Sequence, residues 1–116
     1  MKAKEKANDQ PVDVNEVLLV GAIEDRPNLK YMANGTAVAR FILVTVVDAW
    51  EDGKQRTSRI RHRIVVFGKD AERCNDEMNA ENRVKVRGRI ARKFKGEVQG
   101  KRMYDTEIVG NSWRGS

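Results

Sequence analysis

The amino-acid sequence predicts an all-β domain with one short helix, and three observations carry that expectation. Apolar residues alternate with charged ones at period two over Arg59 to Phe67 and Asn82 to Phe94, as they do along half-buried strands. Continuous apolar, β-branched runs at Val17 to Ile23 and Ala37 to Ala49 suit strands buried on both faces. Between them stand Asn34-Gly35 and Asp52-Gly53, pairs that favour positive φ and hence turns. With 116 residues, 40% of them hydrophobic, the chain can bury one core and is too short for two, since domains usually hold about 100 to 150 residues.

Element by element, the polar stretch Met1 to Asp13 has too little apolar surface to order itself, so residues 1–14 are expected to be a flexible arm. Val17 to Ile23 is the first strand, with Gly21 as a bulge or bend. Pro27 and Asn34-Gly35 bracket a loop containing Tyr31 and Met32, and Ala37 to Ala49 forms a long curved strand ending at Trp50 and a hairpin turn. In the next strand Ile60, His62, Ile64 and Val66 share the core face, whereas Arg59, Arg61, Arg63, Val65 and Phe67 share the other. Asp70 caps a helix through Asn79 that buries Ala71, Cys74 and Met78. From Asn82 to Phe94, Val84, Val86 and Ile90 point inward and Lys85, Arg87 and Arg89 outward, with a bend at Gly88. Gly96 and Gly100 frame a hairpin tip, and Met103 to Val109 is the last strand. Three strands, a helix and two strands is the order of an OB-fold, a five-stranded Greek-key β-barrel. It is expected over residues 15–111, leaving 112–116 as a tail.

The net charge of +6 attracts polyanions. Between Lys54 and Arg102 the cations are interleaved with Phe67, Phe94 and Tyr104. Cations neutralise phosphates while flat rings stack on exposed bases, which is how a sheet holds unpaired nucleic acid. The expected stacking rings are Trp50, Phe67 and Phe94. The expected basic groove is Arg59, Arg61, Arg63, Lys69, Lys85, Arg87, Arg89, Arg92 and Lys93.

Other chemistries find little support. Cys74 is the only cysteine, which excludes an intrachain disulfide and fits a reducing, cytoplasmic setting. No run of about 18 apolar residues is present, and neither a membrane span nor a secretion signal is expected. His62 is the only histidine and faces the core side of its strand, and the carboxylates Asp48, Glu51 and Asp52 near Trp50 lack a second cluster. No metal site, no cofactor and no enzymatic activity are therefore expected.

The residues resemble the bacterial single-stranded DNA-binding protein family. Asn15-Glu16-Val17-Leu18-Leu19-Val20-Gly21 is similar to N-x-V-x-L-V-G, and Tyr31 to Ala39 to Y-x-x-N-G-x-A-V. Arg61 to Lys69 is similar to W-H-R-V-V-x-F-G-K, and Tyr104 to Val109 to Y-x-T-E-V. The resemblance implies an OB-fold that coats single-stranded DNA with little sequence preference in replication, recombination and repair, as a homo-oligomer with a tetramer favoured and a dimer possible. Family stacking rings map onto Trp50 with a one-residue shift, Phe67 and Phe94, and family phosphate contacts onto Arg63, Lys69, Arg92 and Lys93. Arg61 stands where the family has a stacking Trp, so binding is expected to depend more on salt. The chain stops at Ser116, without the Gly- and Pro-rich linker and acidic, enzyme-recruiting tip of cellular members. It reads either as a DNA-binding core cut from a longer protein or as a short plasmid, phage or specialised bacterial member. The alternatives are a dimeric OB-fold adaptor of replication restart that binds DNA and a partner protein, and a cold-shock-type RNA-binding module.

Overall fold

The structure, a computed structural model, describes residues 11–80 and 82–116. The elements run β1 (Val17–Ile23), β2 (Asn28–Tyr31), β3 (Ala37–Glu51), β4 (Lys54–Phe67), α1 (Lys69–Glu77), β5 (Arg83–Val98) and β6 (Lys101–Gly115). β1 pairs with β5, β5 with β6, and β6 runs parallel to β4 at Ile64↔Ile108 and Val65↔Val109. β4 pairs with β3 along its length, and β3 returns to β1 at Ala22↔Val44 and Ile23↔Leu43. Five strands thereby close the ring expected of an OB-fold. β2 lies outside the ring as the hairpin partner of β3, where a loop was expected.

The ring closes where side chains are absent. A Cβ on Gly21 would strike the carbonyl oxygen of Val44, and one on Gly88 that of Val109. Gly88 also sits at a register shift between β5 and β6, the expected bend, whereas Gly21 lies in unbroken register with β5. Gly21 therefore permits close approach of β3 and is not a bulge.

Inward-facing Ile23, Ala39, Phe41, Leu43, Ile64, Val66, Val84, Val86 and Ile108 fill the ring, and α1 adds Ala71, Cys74 and Met78 to the same core. Each large side chain removed from water contributes roughly 1.5 to 3 kcal/mol. Burial also pushes the Cys74 thiol up to about 12, so it stays protonated and apolar in character. Gly68, not Asp70, occupies the N-cap of α1, and Asp70 lies in the first turn, where its charge favours the helix N-terminus. The helix ends at Glu77, because Met78 is already extended.

The hairpins are longer than the sequence alone suggested. β4 begins at Lys54, and Asp52-Gly53 (φ 52° and 74°) and Gln99-Gly100 (φ 51° and 79°) make matching two-residue tips. Gly96 is a register irregularity within the second hairpin, not part of its tip. Both hairpins extend past the core as two-stranded arms. For that reason Ile60 and Ile90, expected inward, are about half exposed at the arm bases. Val65, expected on the Arg face, keeps that parity but is fully buried between Arg40 of β3 and Val109 of β6. Residues 112–115, expected as a tail, pair with β5, and Trp113 is buried with its indole Nε1 donating to the Asp70 carbonyl at 3.0 Å. Of the expected N-terminal arm, residues 1–10 lie outside the described residues, while 11–14 are exposed and outside any strand.

Candidate nucleic-acid interface

The outward face of β3 and β4 collects side chains by strand parity alone. Cross-strand register sets Trp50 opposite Gln55, Val44 opposite Arg61, Ile42 opposite Arg63 and Val38 opposite Phe67. Trp50, Arg59, Arg61, Arg63 and Phe67 therefore share one face. Trp50 is 74% exposed and Phe67 43%, both open to a stacking partner. At about 3.3 Å per residue, the strand from Gln55 to Phe67 spans about 40 Å, so the two rings mark the ends of a track with the arginines between them. Lys69 opens α1 immediately beyond Phe67 and is exposed.

Carboxylates enter this face from other elements. Arg61 donates through Nη2 and Nε to both oxygens of Glu24, at 2.7 and 3.1 Å. That pairing holds the Glu24 carboxyl below its ordinary value and the Arg61 guanidinium above its own, so both stay charged. Arg63 Nη1 lies 3.1 Å from Asp105 Oδ2, Lys95 Nζ 3.3 Å from Asp105 Oδ1, and Arg40 Nε 3.9 Å from Glu107 Oε2. Arg40, Ile42, Arg63, Lys93, Asp105 and Glu107 line a groove of about 290 Å³. His62, at the root of this hairpin, meets Thr45 Oγ1 at 2.9 Å, and burial lowers its pKa.

Phe94 lies on a different surface from Lys93. Alternation along β5 puts Arg92 and Phe94 on the face that continues the core side, and Lys93 on the outward face. Phe94 is 46% exposed and sits opposite Tyr104, their ring centroids 5.8 Å apart in an edge-on arrangement. The Arg92 guanidinium lies 4.0 Å from the Tyr104 centroid and that of Arg102 4.4 Å from the Phe94 centroid. Arg102 Nε also donates to the Tyr104 hydroxyl at 2.9 Å. The result is a ladder of two rings and two guanidiniums along one face of the arm.

A third surface holds Lys85 and Arg87. They face outward beside Leu18 and Val20 of β1 and, with Ser112 and Arg114, line a second groove of about 240 Å³. β6 separates this surface from β4 in the ring. Arg89 lies between the two, opposite Val109, which in turn is opposite Val65. Of the twelve residues expected from sequence, Trp50, Arg59, Arg61, Arg63 and Phe67 share the β3–β4 face, Arg92 and Phe94 the β5–β6 ladder, and Lys85 and Arg87 the β1–β5 face, whereas Lys69 opens α1 and Lys93 and Arg89 face outward on β5 between these surfaces. Sequence reasoning did not place Arg40, Lys95, Arg102, Tyr104, Glu24, Asp105 or Glu107 in the site. Arg40 was legible as an outward-parity cation in β3, and Tyr104 as an aromatic among cations, but the carboxylates meet their partners only through register between distant strands. Among the described residues no three His, Cys, Asp or Glu side chains cluster to hold a metal ion, and no helix is long and apolar enough to cross a membrane.

Solved structures share this architecture. A deletion mutant of the single-stranded DNA binding protein from Thermus aquaticus superposes with a TM-score of 0.78 at 21% identity over 89% of this chain. The present chain spans 50% of that protein's length. A Plasmodium falciparum SSB solved in complex with ssDNA also gives 0.78, at 23% identity, over 90% of this chain and 95% of its own. At such identities the likeness is one of fold, and the fold is the OB-fold. The family model described as the single-strand binding protein family matches residues 14–114, and the chain belongs to that family.

Proposed function

We propose that this protein binds single-stranded DNA with little sequence preference and coats it during replication, recombination and repair. The observation that carries the reading is the shared outward face of β3 and β4, where exposed Trp50 and Phe67 bracket Arg59, Arg61 and Arg63. Bases stack on the rings while the arginines meet the backbone, so the protein binds strands whose bases are unpaired. Phe94 supplies a further ring on the second arm, with Arg92 beside it and Lys93 on the arm's other face. Lys69 extends the basic track past Phe67. Lys85, Arg87 and Arg89 receive DNA that passes around the ring beyond β6. The DNA-bound Plasmodium protein of the same fold supports this reading.

The binding unit is the strand ring, which runs from β1 to the end of β6 at Gly115, acting as a homo-oligomer, with a tetramer favoured over a dimer. The setting is the cytoplasm of a bacterium, plasmid host or phage-infected cell.

Anisotropy of labelled oligo-dT, duplex DNA and RNA, each titrated with the protein at low and moderate salt, tests the function. Tight, salt-sensitive preference for oligo-dT is the expected result. Equal binding to duplex would mean that charge acts alone and that the rings are not platforms.

A further inference from the structure

Carboxylates sit within the very surface that would neutralise phosphates. Asp105 stands between two cations from different strands, with one oxygen toward Arg63 of β4 and the other toward Lys95 of β5. Its side chain is 34% exposed, so the pairs lie at the surface, where water screens them and a single ion pair holds weakly. Asp105 also lines the groove between Arg40, Arg63 and Lys93.

Resting on the single-strand-binding reading above, we propose that Asp105 is an internal competitor of the DNA backbone, which occupies Arg63 and Lys95 in the free protein and lowers affinity for single strands. A phosphate engaging Arg63 displaces a carboxylate oxygen from it. The displaced charge stays in the groove, beside the bound backbone, and repels it. Arg63, Lys95 and Asp105 together carry one net positive charge toward DNA instead of two, and fewer counterions leave the strand. Phosphate is favoured in the exchange because neighbouring contacts along the track hold it in place, whereas the carboxylate returns as soon as the strand leaves. Asp105 thereby sets both how tightly the strand is held and how readily it is surrendered.

The test is the affinity of the full chain for labelled oligo-dT across a salt series, comparing wild type with Asp105→Asn, Asp105→Glu and Asp76→Asn. Asp76 lies on α1, outside the groove, so its variant removes the same charge without freeing Arg63 or Lys95. Asp105→Asn is expected to tighten binding roughly two- to fivefold at moderate salt. It should also steepen the salt slope by about 0.7 of a unit. Asp105→Glu should stay near wild type, with melting curves confirming that each variant is folded. The proposal is overturned if Asp105→Asn binds no more tightly than Asp76→Asn, or if Asp105→Glu tightens binding as much as Asp105→Asn. Failure of wild type to bind oligo-dT at all would instead overturn the reading on which it rests.

Discussion

The two arms carry aromatic rings in opposite states of preparation. On the β3–β4 arm Trp50 stands 74% exposed beside its tip, opposite Gln55. On the β5–β6 arm Phe94 is held against Tyr104 and covered on one face by Arg102, with Arg92 over Tyr104. Immobilising a side chain on binding costs roughly 0.5 to 1.5 kcal/mol, and a ring already held in a ladder avoids much of that cost. Exposure alone does not rank stacking platforms. Trp50 has the larger ring and the greater ordering cost, Phe94 the smaller ring and the prepared setting.

The largest expected effect is on the prepared arm. Phe94→Ala should weaken oligo-dT binding toward the upper end of the roughly 1 to 3 kcal/mol that stacking contributes per base, and Trp50→Ala toward the lower end. Titration of both variants at one salt concentration measures the order, and a reversed order would show that ring size outweighs preparation. Next in size is the electrostatic contribution of each arm. Arg63→Ala and Arg92→Ala should each lower the salt slope by about 0.7 of a unit, which a salt series on the two variants reads directly. A change for only one of them would confine the DNA to a single face.

Smaller effects test the scaffold. Gly53→Ala and Gly100→Ala place a side chain at positive φ in matching tips, and each should cost about 1 kcal/mol in a denaturant melt. Unequal losses would mean that one arm contributes more to global stability than the other. The smallest effect concerns His62 at the root of the first arm. Burial lowers its pKa, so the unfolded chain takes up a proton near pH 6.5 that the folded protein resists. Its contribution to stability is therefore present above that pH and lost as pH falls below it. The melting temperature of wild type should drop between neutral and mildly acidic pH by slightly more than that of His62→Gln.

Parity within a strand is local, and it was legible. Arg59, Arg61, Arg63 and Phe67 do share an outward face, and Val84 and Val86 do face the core, because alternation follows from the pleat of one segment. What lies across or beyond a strand is not local. Ile60 and Ile90 obey their parity yet lie half exposed, since only the lengths of both hairpins decide where the core ends. The carboxylates of Glu24 and Asp105 reach Arg61 and Arg63 through ring closure and the parallel β4–β6 register, which no periodicity encodes. Phe94 illustrates the same limit. Sequence neighbours Lys93 and Lys95 gave it a basic context, whereas its actual neighbours, Tyr104 and Arg102, come from the opposite strand.

Whether the exposed rings are the stacking platforms is tested most directly by photocrosslinking the protein to a bromodeoxyuridine-substituted single strand and mapping the adducts by mass spectrometry. Adducts are expected on Trp50, Phe67 and the Phe94–Tyr104 pair, all suppressed by excess unlabelled oligo-dT. Competable adducts confined to Tyr31 or the β1 surface, with none on those rings, would show that the rings are not the platforms.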